Sequence, residues 1–486
     1  MWKDTREARL RRYQEILKES PRLSNTVKAN REDINVTERF ADVLAMENPA
    51  DMEELRKTFE DVCDHVLAPT LNGFVLWVLK EALNAGKKRL YFLARDGYLM
   101  YRAASVYCKR LNLPIECRYL SCSRYSIRIP MFHLDMDEAM NYICRGGINV
   151  TMTKILNRAG LTRMQKERLL AESDIGWKKD DMIPYAKLAE IREKLEQNDY
   201  FMECVKKHSE EAMPDLEGYL IQEGLFDGTP SALVDSGWVG SMQKVLNQLI
   251  ADIQKKNGFA AQIHLEGYYW GLYELPLGIK PEEYHCYYFP PGRNIREKVQ
   301  FSNCLFEGIF SAPHGMTMGY KKENGRYRPI YGEISDKQKK FMELTEQRLM
   351  KTTEQISSGL CRDDLATLDC KKDHQIIRKL LGMFMSEPTV HEAEIYGSLH
   401  FSDDVLDYGD RQMAEPMSQK ELSANHLWHK ALAMLGVQKV HVKESAWYEG
   451  SAVRSGKHVK RHLRCYAGYK YLLYLRKRYL WRKIYG

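Results

Sequence analysis

Two short segments of this 486-residue chain carry residues that could act on a phosphorylated ligand. The first is Asp235-Ser-Gly-Trp-Val-Gly240-Ser241, which directly follows an apolar run. Glycines after a strand let the backbone turn tightly, so that N–H groups converge on an anion and the next helix adds its positive N-terminus. Gly240 and Ser241 could hold a phosphate, and Asp235 could bind sugar hydroxyls or Mg²⁺. The pattern equally fits a turn that needs glycine only for its backbone angles, with Asp235 as a helix cap.

The second segment, residues 89–97, repeats this design with a cation in its loop. An apolar strand is followed by Arg95 and Asp96, and then by a predicted helix. Two such loops at the carboxyl ends of neighbouring strands form a crevice, which is where open α/β sheets bind ligands. One loop could hold a monophosphate and the other a diphosphate neutralised by Arg95 and Arg124. The alternative is that Arg95 pairs with a neighbouring acid and that Arg124 is a solvated charge.

These loops need a sheet and helices to position them, and the hydrophobic pattern predicts both. The expected fold class is α/β, with a parallel sheet interrupted by a helical insertion and followed by a helical C-terminal region. Short apolar runs predict strands, and helical spacing of apolar residues predicts helices. The predicted strands are 89–93, 115–120, 231–234, 264–272 and 284–289; the predicted helices are 70–83, 98–111, 135–143, 151–159, 199 onward, 242–252, 338–357 and 374–385.

The same pattern divides the chain into six regions. Pro21 and Pro49 are expected to break the N-terminal helices, Pro69 to open a buried helix, and the chain to be helical again after Pro313. The predicted regions are 1–65 (helical), 66–130 (first part of the core), 131–225 (helical insertion over the acceptor), 226–330 (second part of the core), 331–456 (mostly helical) and 457–486 (a basic, aromatic tail).

The positive charge is concentrated in the tail. Residues 457–486 contain ten Lys/Arg and no Asp/Glu, whereas the whole chain has a net charge of +7. Cations mixed with aromatic rings suit an anionic membrane surface, and they also suit single-stranded nucleic acid. The third interpretation is a terminal helix whose apolar side packs on the body, with its basic side in water. That apolar side would consist of Leu472, Leu473, Leu475 and Leu480.

Composition excludes several classes of protein. With 44% apolar and 29% charged residues the chain is not disordered. Eleven cysteines without a CxxC pair indicate reduced thiols rather than disulfides or a zinc site. The first 21 residues lack an apolar run, and the best uncharged run (66–79) is shorter than the roughly 20 residues of a membrane span. We therefore expect a cytoplasmic protein, peripheral on the inner face of the cell membrane if the tail binds lipid.

The glycine loops resemble those of a known fold. The 235–241 segment resembles the phosphoribosyl-pyrophosphate (PRPP) loop of type I phosphoribosyltransferases, and the 93–97 loop resembles their pyrophosphate loop. One departure is that the usual pair of adjacent acids is Asp235-Ser236 here. More specifically, residues 65–320 are similar to PRPP-dependent glycosyltransferases of bacterial surface-polysaccharide biosynthesis, a module often paired with a HAD-type phosphatase. Four blocks carry this similarity, in order: YFLARDGYLM, YLSCSRYSIRIP, LVDSGWVGSMQ and FEGIFSAPHGMTMGY.

The resemblance implies a type I phosphoribosyltransferase-like core and a specific reaction. Phosphoribosyl from PRPP would be transferred with inversion to a glycan or lipid-linked oligosaccharide, giving a β-ribofuranoside 5-phosphate and pyrophosphate in O-antigen or capsule synthesis. Mg²⁺ would be the cofactor, carried by the pyrophosphate, so no side chain is assigned as its direct ligand. A separate HAD-type phosphatase would act next, since this chain lacks that signature. By position, Gly237, Gly240, Ser241 and Met242 would hold the 5-phosphate, Asp235 the ribose hydroxyls, and Ala94, Arg95 and Gly97 the pyrophosphate with its Mg²⁺. Arg124 and Ser236 complete the set of predicted PRPP-binding residues.

A sugar hydroxyl also benefits from a general base. Asp96 is the first candidate because its loop is expected beside the pyrophosphate, and Glu307 is the second. Asp96 could instead cap its helix. Two other functions stay open: a phosphoribosyltransferase with a small soluble acceptor, and a non-catalytic protein that binds PRPP or a nucleotide. The single acid at Asp235-Ser236 keeps the second of these open.

Overall fold

The structure is a computed structural model of the chain, and it describes residues 4–20, 22–23, 49–146, 150–173, 176–259, 263–274, 278–400, 411–434 and 443–485. Its centre is a parallel sheet of five strands in the order β2-β1-β3-β4-β5. The strands are β1 Arg89–Leu93, β2 Glu116–Leu120, β3 Ser231–Trp238, β4 Glu266–Leu272 and β5 Tyr284–Phe289. The predicted α/β class and parallel sheet are confirmed.

The strand order creates a switch point in the sheet. The chain leaves β1 for β2 on one side, and it later returns to β3 on the other side of β1. At such a point the connections diverge and leave a crevice at the carboxyl ends of the two central strands. In this sheet the crevice lies between the ends of β1 and β3.

Helices cover both faces of the sheet. The π-helical segment Cys63–Leu67 joins the second and third helices, and another, Gly382–Ser386, follows the sixteenth. The helices are α1 Arg6–Leu17, α2 Pro49–Val62, α3 Ala68–Asn84, α4 Gly97–Arg110, α5 Arg124–Met131, α6 Met136–Ile143, α7 Met152–Arg158, α8 Arg163–Glu172, α9 Leu188–Glu196, α10 Asp199–Gln222, α11 Ser241–Asn257, α12 Ile295–Gln300, α13 Asn303–Phe310, α14 Asp336–Ser358, α15 Arg362–Ala366, α16 Cys370–Leu381, α17 Val390–Gly397, α18 Gln419–Ala424, α19 Leu427–Met434, α20 Tyr448–Ser455 and α21 Val459–Tyr485.

The buried helix predicted over residues 70–83 begins earlier, at Pro49. It runs without a break from Pro49 through the π segment to Asn84, so Pro49 opens it and Pro69 lies inside it. A π turn directly before Pro69 accommodates the missing N–H of that residue. The stretch Met52–Asn84 is long and apolar enough to cross a membrane, but 94% of its most apolar window is buried within the protein.

The expectation of helix after Pro313 is wrong for the first 18 residues. Strands β6 (Thr317–Glu323) and β7 (Arg326–Tyr331) form an antiparallel hairpin there. Its turn is Asn324-Gly325, and both residues have positive φ, 50° and 79°. Asn-Gly favours a tight hairpin turn, so this signal was present in the sequence.

The helical insertion has an apolar core of its own, formed by α5 to α10 and joined by Met316 and Met318 near the hairpin. A second cluster lies between the sheet and α10 and α11, and the largest lies on the opposite face of the sheet with α3, α4 and α13. The six region boundaries remain predictions. All eleven cysteines have free thiols.

The tail is a helix, but its leucines are not arranged as the packed-helix interpretation expected. Leu472 and Leu475 are exposed to 45% and 42%. Other residues of the helix contact the body, among them Tyr466, which stacks on Tyr448, and Tyr474, which stacks on Tyr273. Leu480 lies outside the residues whose side chains the structure describes.

Candidate functional site

The side chains that follow β1 meet those of β3 at the switch point. The Ser236 hydroxyl donates a hydrogen bond of 2.6 Å to the Asp96 carboxylate. Asp96 occupies the N-cap position of α4, but its side chain makes no capping hydrogen bond. The carboxylate is therefore directed at the neighbouring strand, and the alternative of a helix cap is wrong for this side chain.

Strand β3 is four residues longer than predicted. It keeps pairing with β4, with Gly237 opposite Gly271 and Trp238 opposite Leu272. The predicted loop is therefore reduced to Val239 and Gly240. Consecutive strand residues face opposite sides of a sheet, so Asp235 faces α11 and Ser236 faces α4 and α13.

Three residues of this segment have positive φ angles. Gly237 has a φ of 101°, and a Cβ there would lie 2.7 Å from the Gly271 carbonyl oxygen. Trp238 has a φ of 62°, which is uncommon for a bulky residue and is often found at functional sites. The interpretation that these glycines serve the backbone is confirmed for Gly237 and for Gly240, whose φ is 67°. Their contacts with phosphate remain a prediction.

The first turn of α11 is open to a ligand. No side chain in the described part of the chain caps this helix, which begins at Ser241. The N–H groups of Val239 and Gly240 already donate to the Gly237 carbonyl, so the amides left for an anion are those from Ser241 onward. The Met242 side chain packs against the apolar cluster beneath α11, so it can contribute only its amide.

Three carboxyl groups share the site. Removal from water raises the pKa of Asp96, although the Ser236 hydrogen bond, Arg95 and Arg124 oppose the shift. Burial, followed by the Asp96 charge, raises the pKa of Asp235 to about 7. The same two causes raise the pKa of Glu307 to about 8.

Glu307 is brought to this group from outside both loops. It lies on α13, and its carboxylate accepts a hydrogen bond from the Trp238 indole N–H. The strained backbone at Trp238 thus orients a group that holds one of the carboxyls. Both predicted base candidates, Asp96 and Glu307, lie in the same cluster.

Two guanidinium groups accompany the carboxyls. Arg95 is half-buried and Arg124, the first residue of α5, is exposed. Among the residues that the structure describes, neither forms an ion pair or a side-chain hydrogen bond. Both lower the pKa of Asp96 and of Glu307, so both lie near those carboxyls. The cations are thus available to an anionic ligand.

The remaining predicted residues of the first loop have structural contacts. The Ala94 N–H donates to the Leu120 carbonyl at 3.0 Å, and the Ala94–Arg95 peptide bond is cis. A Cβ at Gly97 would lie 3.1 Å from the carbonyl carbon of Phe92, so glycine lets α4 start close against β1.

One wall of the site was not predicted. His314 follows α13, and its two ring nitrogens lie 2.9 Å from the Tyr119 hydroxyl and 2.8 Å from the Gly315 carbonyl. Burial lowers the pKa of His314, with a further lowering by Arg95, so this wall is neutral near pH 7. Tyr331 of the hairpin stacks on His314 with ring centres 4.0 Å apart. The block FEGIFSAPHGMTMGY contained His314, but an isolated histidine gave no reason to choose it.

A groove of about 1030 Å³ begins beside this site. It runs along α11 from Gly240 to Lys256, and the helical insertion forms its other wall through α5, α6 and α10. Its lining combines charged, polar and apolar side chains, including Arg128, Asp135, Met213, Ser241, Gln248 and Glu274. Such a mixture suits an extended polar molecule.

The carboxylates of this site fit Mg²⁺ only when oxygens of a bound phosphate complete its coordination. Among the described residues, no three metal-ligating side chains form a cluster. Mg²⁺ commonly uses one or two carboxylates together with the oxygens of a phosphate substrate. The Asp96 and Asp235 carboxylates fit a Mg²⁺ ion that arrives with pyrophosphate.

No model of a known protein family matches the chain, and no curated protein is significantly similar to it.

Proposed function

We propose that this protein transfers phosphoribosyl from PRPP to a hydroxyl of a glycan, with inversion and release of pyrophosphate. One observation carries the proposal: three carboxyls and two guanidinium groups, neither of which is ion-paired among the described residues, converge at the switch point of a parallel sheet. That is where such sheets bind ligands, and the charges match a polyphosphate with its Mg²⁺. The four sequence blocks that resemble PRPP-dependent glycosyltransferases contain all five of these residues.

The two loops divide the donor between them. Arg95 and Arg124 bind the pyrophosphate, and the open first turn of α11 binds the 5-phosphate. When bound, Mg²⁺ would neutralise the leaving group's charge, and Asp235 would hold it. Asp235 also accepts hydrogen bonds from the ribose hydroxyls. Ser236 stands where the family has a second acid. The site still has a second carboxylate at this point, because the Ser236 hydroxyl contacts Asp96.

The carboxyls Asp96 and Glu307 differ in protonation. Their negative charges repel, so one of them keeps its proton. The Ser236 hydrogen bond favours the ionised form of Asp96, whereas Glu307 is protonated below about pH 8. Asp96 is therefore the general base of the proposed reaction, and Glu307 is a hydrogen-bond donor.

The chemical step follows from this arrangement. The acceptor oxygen attacks the anomeric carbon from the face opposite the pyrophosphate, and the bond from that carbon to the pyrophosphate oxygen breaks. The hydroxyl proton passes to Asp96. Arg95 stabilises the negative charge that develops on the leaving group. The acceptor reaches the site through the groove between α11 and the helical insertion, whose volume suits several sugar units.

Calorimetric titration with PRPP and Mg²⁺ tests the proposal. We expect binding that Asp235→Asn weakens about 10-fold or more, since it removes a charge-assisted contact. Asp363→Asn is the matched control, because it makes the same change at an exposed position of α15, outside the site. No binding at millimolar PRPP would overturn the proposal. Binding without pyrophosphate release, whatever glycan acceptor is offered, would favour a non-catalytic PRPP-binding protein instead.

A further inference from the structure

The C-terminal helix α21 is fixed to the body along one side. Tyr474 stacks on Tyr273 with ring centres 5.6 Å apart, and the Lys470 ammonium lies 2.9 Å from the Glu449 carboxylate. His462 lies 3% exposed on the same side. This helix is therefore anchored, and its other side has a fixed direction relative to the sheet.

The opposite side of α21, which we call the outer face, combines cations with exposed apolar groups. At 3.6 residues per turn, its members fall on one stripe that is about 24 Å long. Helix α21 contains no Asp or Glu, so no acid on this helix neutralises the stripe. The cations are Lys460, Arg461, Arg464 and Arg476, and the apolar members are Tyr471, Leu472 and Leu475, exposed to 49%, 45% and 42%.

This combination identifies the partner chemically. Exposed leucines beside arginines are costly in water but favourable at a lipid surface, where aliphatic groups enter the acyl boundary and cations meet anionic headgroups. A single-stranded nucleic acid would use the cations and the tyrosine, but it gives no reason for two exposed leucines. We propose that the outer face of α21 docks on an anionic lipid surface.

Docking would also orient the proposed active site. Lys477 forms an ion pair of 2.6 Å with Glu274, and Glu274 lines the groove. Glu274 follows the end of β4, so α21 lies along the carboxyl edge of the sheet. A lipid-anchored acceptor in the same membrane would thus meet the groove at its rim. This last step rests on the proposed function, whereas the docking itself does not.

Co-sedimentation of the full chain with vesicles tests the docking without PRPP or acceptor. We expect binding to vesicles that contain phosphatidylglycerol and none to pure phosphatidylcholine. The triple variant Arg461→Gln, Arg464→Gln and Arg476→Gln should bind about 100-fold more weakly, at about five-fold per lost charge. The pair Leu472→Ser and Leu475→Ser should bind at least about 10-fold more weakly, because less apolar area enters the lipid.

Matched variants keep the test specific. Arg163→Gln, Lys206→Gln and Lys207→Gln remove the same charge from exposed positions of the insertion, and they should leave vesicle binding unchanged. Equal loss in this control would overturn the proposal by showing non-specific attraction. Equal binding to both kinds of vesicle, or to neither, would also overturn it. Tighter binding to single-stranded oligonucleotide than to vesicles, lost in the arginine variant, would assign the face to nucleic acid instead. PRPP titration of each variant is scored separately, so a failed transferase proposal does not affect the result.

Discussion

The two strand–loop–helix units at the switch point look alike in sequence and differ in structure. Strand β1 stops at Leu93, so Arg95 and Asp96 lie in a loop. Strand β3 continues through Trp238, so Asp235 and Ser236 lie within the strand and face opposite sides of the sheet. The difference arises because β4 keeps pairing with β3 up to Leu272, whereas no strand of the described residues pairs with β1 beyond Leu93. Tertiary pairing, rather than the local motif, decides where a strand ends.

As a consequence, the two units present different chemical groups to a ligand. The β1 unit offers charged side chains to a ligand, and the β3 unit offers one carboxylate, a hydroxyl and the uncapped N-terminus of α11. Alanine at Gly237 and Gly97 and methionine at Arg95 and Arg124 test this difference.

The glycines of the two units should respond differently to alanine. Gly237→Ala combines a positive φ with a Cβ 2.7 Å from a backbone oxygen, so we expect a loss of about 4 kcal/mol in the free energy of unfolding. Gly97→Ala meets only a tight contact of 3.1 Å and should cost about 1 kcal/mol. Urea denaturation measures both values.

Gly258→Ala is the control for this pair. It has a φ of 66° with open space around it, so it isolates the backbone effect at about 1 kcal/mol. If Gly237→Ala costs no more than Gly258→Ala, then β3 does not hold its close pairing with Gly271.

Substitution of the two arginines should affect binding of the two parts of PRPP, the pyrophosphate and the ribose 5-phosphate, to different extents. Arg95→Met should weaken binding of Mg²⁺-pyrophosphate about 100-fold, and Arg124→Met about 10-fold because that side chain is exposed. Both variants should still bind ribose 5-phosphate, which the β3 unit binds in the proposed mechanism. Competition titrations with the two ligands measure this, with Arg110→Met at the far end of α4 as the control. Equal loss of both ligands would mean that the units do not act separately.

The sequence was sufficient for some parts of this site and insufficient for others. The apolar runs placed all five parallel strands, most clearly β1 and β4, which are buried along nearly their whole length. The end of β3 could not be predicted, since it depends on β4, about 30 residues later. His314 and Tyr331 could not be chosen either, because their position arises from packing between the hairpin and β2. The contact between Ser236 and Asp96 is also non-local. The sequence alone therefore could not show that a second carboxylate lies beside the position of the missing acid.

The carboxyl supplied from outside both units should control the pH dependence of stability. Glu307 has its pKa raised from 4.5 to about 8, so the folded protein keeps a proton that the unfolded chain releases. Its contribution to stability is therefore present below pH 4.5 and is lost as the pH rises to about 8. Glu307→Gln removes that loss while keeping an acceptor for the Trp238 indole. Because the carboxyl is partly accessible, we expect the variant to be about 2 kcal/mol more stable at pH 8.

Urea denaturation at the two ends of this pH range measures the effect. The variant and the native protein should have similar unfolding free energies near pH 4.5. Equal differences at both pH values would mean that Glu307 is ionised in the folded protein, and the assignment of Asp96 as the ionised partner would fail with it.

The smallest expected effect tests the single bond that joins the two units. Ser236→Ala removes the hydroxyl that donates to Asp96, so the pKa of Asp96 should rise further. A hydrogen bond worth about 1 kcal/mol corresponds to a shift of about 0.7 pH unit in the acid limb of kcat/KM. Ser231→Ala, at the opposite end of the same strand, should leave the limb in place because its hydroxyl donates to Thr229 instead. An unchanged limb in Ser236→Ala would remove Asp96 from the role of base and leave it as a ligand for the donor's Mg²⁺.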